Sequence, residues 1–186
     1  VTHLPNGRIL QSGSCQPECL QFHDRDGAIA IEVTDLVDPN GFYVSDGALV
    51  PMPSKPSENH KFNYISEQWE DSRTLDDLKA EKWRNIKANR DSHEYGGFTW
   101  DGSVFDSDAT SQQRIAGALQ LAQLSTTFTI DWTLADNSIR TLDAQEMSYV
   151  ALALGSHVSE VFSHAQELRA QIEETSSIEQ LETIHW

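Results

Sequence analysis

Residues 95–112 read YGGFTWDGSVFDSDATSQ, and this stretch decides the fold of the second half of the chain. The Asp101-Gly102 pair suits a two-residue hairpin turn, because both central residues of that turn need a positive φ angle. Asp108 or Thr110 can then cap a helix. The stretch therefore predicts a β-hairpin that leads into a helix. The aromatic and apolar residues of the two predicted strands are Phe98, Trp100, Val104 and Phe105.

The rest of the second half predicts three more helices and a second hairpin. Thr74 is a good N-cap residue, and the helix that it opens is predicted to end near Arg90. Residues 127–142 alternate apolar and polar side chains around a turn, which predicts two strands. Asp143 and Glu146 have the spacing of a capping box, and they open the longest helix. A last short helix completes the module.

The longest predicted helix carries an apolar stripe whose residues are spaced alternately four and three apart. Such a stripe is typical of a coiled-coil seam. It could pack against other elements of its own domain or against copies of the chain, and the spacing alone leaves both open. The stripe consists of Met147, Ala151, Leu154, Val158, Val161, Ala165, Leu168 and Ile172.

The first third of the chain has a different pattern. Residues 1–27 show no sustained period and predict an extended leader, and residues 28–33 predict the first strand. Asp46-Gly47 predicts a hairpin tip. We therefore predict an α+β protein: a β-hairpin-rich N-terminal docking region with its leader over residues 1–70, then a C-terminal module of four helices and two β-hairpins over residues 74–186.

The charge of the chain narrows the classes of partner. The 186 residues include 13 Lys and Arg and 29 Asp and Glu, which gives a net charge of −16. A surface that negative repels phosphate groups, so we predict no nucleic-acid partner. The chain has no apolar run of about 18 residues and its first ten residues lack the features of a secretion signal. We therefore predict no membrane insertion and synthesis in a cytoplasm.

Cys15 and Cys19 are the two cysteines of the chain. A zinc site normally needs about four ligands in two close pairs, and here a second pair is missing. A metal, a disulfide, and two reduced, partly buried thiols are the three alternatives, and we favour the thiols. Pro17 predicts that the cysteines lie in a turn or loop rather than in a helix.

Other candidate residues have structural explanations. The aspartates of the first hairpin, Asp101, Asp106 and Asp108, lack the spacing of a calcium loop and are interpreted as turn and cap residues. His157 and His164 lie beside the apolar stripe and are interpreted as surface residues, with an interfacial or pH-sensitive role as the alternative. We predict no catalytic residue, no cofactor-binding residue and no metal ligand.

One predicted helix concentrates the positive charge of the second half. We interpret its basic residues as a solvated face paired with Glu81 and the acidic flanks, and a docking strip for an acidic partner is the alternative. The basic residues are Lys79, Lys82, Arg84, Lys87 and Arg90.

Several motifs follow one another in a specific order. They are KAEKW (79–83), GGFTWDG (96–102), FDSD (105–108), SQQRI (111–115), DWTLADN (131–137) and IHW (184–186). With these motifs, the segment from about Leu78 to Trp186 resembles the C-terminal domain of unknown function that is common in tail proteins of tailed bacteriophages. The upstream FYVSDGALV (42–50), PSENH (56–60) and FNY (62–64) resemble the lead-in to that domain in proteins of the tail-fibre region.

The resemblance implies a virion protein and no catalytic residues. It predicts a non-enzymatic structural component of a bacteriophage tail, in the tail tip, baseplate or tail fibre, that is made in the host cytoplasm. Its partners would be other tail proteins and copies of itself, with a trimer as one stoichiometry. The alternative is an assembly chaperone that promotes folding and trimerisation of a tail fibre. A third class, a glycan hydrolase that uses two carboxylates, has no diagnostic residues here.

Overall fold

The computed structural model describes residues 1–24 and 26–186, and it divides the chain into two compact units, Val1–Arg73 and Thr74–Trp186. Short antiparallel hairpins dominate the first unit, and the second combines helices with hairpins. The prediction of an α+β protein is therefore confirmed.

The N-terminal unit contains seven short strands and one 3-10 helix, Pro17–His23, among its described residues. Strands β1 to β3 form one sheet in the order β2-β1-β3, and the other four form the hairpins β4-β5 and β6-β7. The strands are β1 (Thr2–His3), β2 (Ile9–Gln11), β3 (Ile29–Ala30), β4 (Phe42–Ser45), β5 (Ala48–Pro51), β6 (His60–Asn63) and β7 (Gln68–Asp71).

The leader region differs from its prediction. Part of it forms β1 and β2, which pair with each other, and β1 also pairs with β3. The predicted strand at residues 28–33 is only two residues long, because β1 offers it only Thr2 and His3 as ladder partners. Beyond that ladder, the Ile31 amide still donates a 2.9 Å hydrogen bond to the Val1 carbonyl.

The two hairpins of this unit differ in how clearly the sequence marks their turns. The predicted hairpin at Asp46-Gly47 is confirmed, and both residues have positive φ angles, 50° and 74°. The β6-β7 hairpin turns over residues 64–67, which contain no Asn-Gly or Asp-Gly pair to mark the turn in the sequence. Glu67 supplies the positive φ there and accepts a 3.1 Å hydrogen bond from the Tyr43 hydroxyl.

The C-terminal unit has the four helices and two hairpins that were predicted. Its first hairpin turns at Asp101 and Gly102, with φ angles of 46° and 74°, as the Asp-Gly pair requires. The helices are α1 (Leu75–Glu94), α2 (Ala109–Leu124), α3 (Ala144–Glu174) and α4 (Ile178–Glu182). The strands are β8 (Phe98–Trp100), β9 (Ser103–Phe105), β10 (Thr129–Thr133) and β11 (Ile139–Asp143).

Helix starts agree closely with the sequence. Thr74 caps α1 and Asp143 caps α3, each in a complete capping box with the acidic residue three positions later. Asp108, one of the two candidates, caps α2. Helix α1 continues to Glu94, about one turn beyond the predicted end near Arg90.

Helix α3 contributes to two separate core clusters. Met147, Val150 and Leu154 pack at its N-terminal end with the hairpins and α2. Ala165, Leu168 and Ile172 pack at its C-terminal end with α1 and α4. Seven of the eight stripe residues, all but Val161, thus pack with other elements of their own domain.

Candidate functional site

One of the two cysteines, Cys15, lines a cavity of the N-terminal unit. This cavity has a volume of about 290 Å³, and Cys15, His23 and Glu32 are among the residues that line it. Both cysteines are free and exposed, so the prediction of partly buried thiols is wrong in that respect. Cys19 also lies in the 3-10 helix rather than in a loop, because Pro17 takes the first-turn position where a missing amide costs no hydrogen bond.

Residues 1–24 and 26–186, which the structure describes, contain neither a metal-binding group of side chains nor a membrane-spanning helix. No group of three or more His, Cys, Asp or Glu side chains there is arranged to hold a metal ion. No helix in those ranges is long and apolar enough to cross a membrane.

Asp101 fixes the two hairpins to each other through Arg140. The Arg140 Nη2 atom lies 2.6 Å from Asp101 Oδ2 and 3.3 Å from Glu146 Oε1. The guanidinium also lies 4.7 Å from the centre of the Trp100 ring. The hydrogen bond that Arg140 donates to Asp101 raises the pKa of Arg140 above its ordinary value. The arrangement joins β8-β9, β10-β11 and the start of α3.

Asp108 is a helix cap, as its position predicted. Its carboxylate accepts hydrogen bonds from the Ser111 hydroxyl at 2.6 Å and from the Thr110 amide at 2.8 Å. The bond from the Ser111 side chain, followed by those from the backbone amides, holds the pKa of Asp108 below its ordinary value. The charged form of this carboxylate is therefore the form that stabilises the fold.

We expect Asp108→Ala to lower the Tm of the C-terminal unit by about 4–8 °C at neutral pH, which is typical of losing an N-cap. A carboxylate whose pKa is lowered by folding stabilises the protein above its unfolded pKa, near 3.9, and the effect disappears as the pH falls through the folded value. Thermal unfolding can be followed by circular dichroism at pH 7 and pH 3. The difference in Tm between the wild type and Asp108→Ala should be smaller at pH 3 than at pH 7. Asp106→Ala, two residues away and exposed, is the matched control and should leave Tm unchanged.

Ser107 makes a structural contact that the sequence did not reveal. Its side chain is fully buried; its hydroxyl donates to the Glu94 carbonyl and accepts a 2.9 Å hydrogen bond from the Gly97 amide. It therefore connects the end of α1 to the first hairpin. A serine between two aspartates has no sequence signal that distinguishes this role from an ordinary turn residue.

The basic residues of α1 have mainly intramolecular partners. Lys79 Nζ donates to the Glu173 carbonyl at 3.1 Å, and Lys82 Nζ donates to the Ile184 carbonyl at 2.9 Å. Arg90 lies 4.8 Å from the Phe162 ring. Lys79 and Lys82 thus contact backbone carbonyls of α3 and of the segment after α4, which the sequence did not predict. Arg90 pairs with Asp91 at 2.6 Å, which agrees with the predicted pairing with acidic flanks.

The histidines beside the stripe are also more than surface residues. His157 Nε2 lies 3.0 Å from the His93 carbonyl oxygen, and the His164 ring meets the Trp186 ring edge to face at 4.8 Å. These contacts join α3 to the end of α1 and to the segment after α4. His164 is exposed, as the interpretation as a surface residue predicted, and His157 is half-buried; both also make contacts within the unit that the sequence did not reveal.

On the side of α3 opposite its buried stripe, a line of exposed uncharged residues extends over about six turns, with the exposed Glu160 and Glu167 beside it in its C-terminal half. Tyr149 and Leu152 are 47% and 67% exposed there, and Tyr149 stacks on Trp100 with ring centres 6.5 Å apart. We call this surface the outer α3 face. It consists of Gln145, Tyr149, Leu152, Ser156, Ser159, Ser163 and Gln166, which are all exposed.

Comparison with known proteins places the C-terminal unit in a family. Residues 77–184, more than half of the chain, match the family described as a domain of unknown function, DUF4376. No curated protein and no solved structure matches the chain. The matched range nearly coincides with the segment from about Leu78 to Trp186 that carries the motifs described above. The chain therefore belongs to the DUF4376 family of domains.

Proposed function

We propose that the protein is a non-enzymatic structural component of a bacteriophage tail, which docks on other tail proteins and on copies of itself. It acts in the tail tip, the baseplate or a tail fibre. The proposal starts from the motif resemblance described above. Among the described residues, the outer α3 face is the structural feature that best supports this proposal.

Electrostatics make this face a favourable contact surface. Two copies of a chain with a net charge of −16 repel each other, and association is favoured where the approaching surfaces carry few charges, as around Tyr149 and Leu152. From Gln145 to Gln166 the outer α3 face extends about 32 Å at 1.5 Å per residue. Its apolar members lie at the N-terminal end, next to the first hairpin.

The N-terminal unit offers apolar residues for a second contact. Phe22, Leu36 and Ile65 are 58%, 71% and 85% exposed. Aromatic and aliphatic side chains are typical of the centres of protein interfaces, where they are desolvated on binding. In the proposal this unit docks on a neighbouring tail protein, and the C-terminal unit supplies the self-contact.

Mass spectrometry of purified virions tests the tail assignment. We expect this chain in the virion at a fixed ratio to known tail proteins, and cross-links from residues 1–70 to one of them. The chain could instead be absent from virions while a tail fibre fails to trimerise when the gene is deleted. That result would contradict the structural role and support the chaperone role. Absence from virions with normal fibres would contradict both.

A single substitution tests the self-contact. We expect Leu152→Glu to weaken self-association at least about tenfold, because it places like charges opposite each other in the contact. Sedimentation equilibrium of the whole chain measures this. Leu124→Glu makes the same change on α2, at a residue that is 83% exposed, and should leave association unchanged. Equal effects of the two substitutions, or a wild-type chain that is monomeric at all concentrations, would contradict the proposed contact.

A further inference from the structure

The indole of Trp186 is held between two histidines of different helices. Its ring centre lies 4.8 Å from that of His93, which belongs to the last turn of α1, and 4.8 Å from that of His164 on α3. Its Nε1 atom lies 3.1 Å from His93 Nε2. Trp186 also packs against the second core cluster, so these contacts cover one end of that core.

The hydrogen bonds of His93 require one protonation state. His93 Nδ1 lies 2.8 Å from the Asn89 carbonyl oxygen, which can only accept, so Nδ1 carries the hydrogen. The indole N–H of Trp186 can only donate, so His93 Nε2 must be an unprotonated acceptor. The hydrogen bond from Trp186 therefore exists only when the His93 imidazole is neutral.

We propose that protonation of His93 releases the indole of Trp186, which makes this side chain a pH-controlled latch on the second core cluster. A second proton on His93 must bind Nε2, where its N–H would point at the indole N–H. Two donors then face each other, and the hydrogen bond is lost. Histidine is the side chain that ordinarily changes charge between about pH 5 and pH 8.

The other ionisable groups around the latch are consistent with this assignment to His93. On α3, His157 donates from Nε2 to the His93 carbonyl, and protonation of His157 leaves this hydrogen bond intact. His164 meets Trp186 through ring packing alone, and Glu160 lies between these two histidines along α3. Arg90, Asp91, Glu94 and His185 are the titratable or charged residues nearest in sequence to His93 and Trp186, and Lys82 donates to the Ile184 carbonyl.

Proton NMR of the whole chain tests the latch directly. Trp186→Phe identifies the indole N–H resonance of Trp186 among the five tryptophans. We expect this resonance to move to its solvent-exposed position in one step as the pH falls from about 8 to 5, while circular dichroism shows that the helices remain. A resonance that does not move over this range would overturn the proposal.

Substitutions then assign the step to one histidine. His93→Gln keeps a hydrogen-bond donor and an acceptor but has no group that titrates in this pH range. The indole of Trp186 should then be either bound at every pH or released at every pH, so the step should be absent. His164→Gln and His157→Gln are the matched controls and should retain the step. A step that persists in His93→Gln, or that disappears in His164→Gln alone, would overturn the assignment.

Discussion

Phe105→Ala is expected to lower the free energy of unfolding of the C-terminal unit by about 3–5 kcal/mol. Phe105 is completely buried, and its ring packs against Phe98 and Trp100 at centre distances of 5.5 and 6.2 Å. Alanine would leave a cavity between the first hairpin and α3 that the surrounding side chains cannot fill without moving the hairpin.

Urea denaturation followed by helical circular dichroism measures this loss, because the described α-helices all lie in the C-terminal unit. Val104→Ala is the matched control: it removes apolar atoms from the adjacent residue of the same strand, which is 48% exposed. The control should cost less than about 1 kcal/mol. A Phe105→Ala variant as stable as the control would show that the first hairpin does not anchor this core.

Gly7→Ala is expected to be the most damaging small substitution in the N-terminal unit. Gly7 has a φ angle of 90°, which costs alanine about 1–2 kcal/mol. A Cβ atom there would also lie 2.1 Å from the Val44 carbonyl oxygen, so the backbone must shift. We expect overpacking to add about 1–3 kcal/mol to the cost of the φ angle.

Hydrogen exchange at the Val44 amide reports this change, because that amide donates a 2.9 Å hydrogen bond to the Gly7 carbonyl. Gly47→Ala separates the two causes: Gly47 also has a positive φ, 74°, but a Cβ atom there would meet nothing within 4 Å. The control should therefore show only the cost of the φ angle. If both variants protect the Val44 amide equally, the close approach of Gly7 to β4 does not stabilise the unit.

Features set by neighbours in the sequence were predictable. Asp101-Gly102 requires a backbone conformation that only a few residues tolerate, and the hairpin formed there. The capping boxes at Thr74 and Asp143 depend on residues three apart, and both formed. In each case, the chemistry that decides the structure lies within one turn of the chain.

Contacts between distant residues were not predictable in the same way. The spacing of the stripe on α3 identified its buried side but not the elements that cover it. His157 lies beside that stripe, and its partner, the His93 carbonyl, is 64 residues away. Ser107 likewise bonds a carbonyl 13 residues earlier, which no local pattern marks.

The pairing of α1 with the end of the chain determines when the C-terminal unit can finish folding. The partners of Lys79, Lys82 and His93 lie 94, 102 and 93 residues later. At a synthesis rate of about 5–20 residues per second, α1 emerges about 5–20 seconds before these partners exist. Its apolar side must stay uncovered, or be covered by a helper, during that interval. A ribosome that pauses within α3 would prolong that exposure and raise the risk of aggregation.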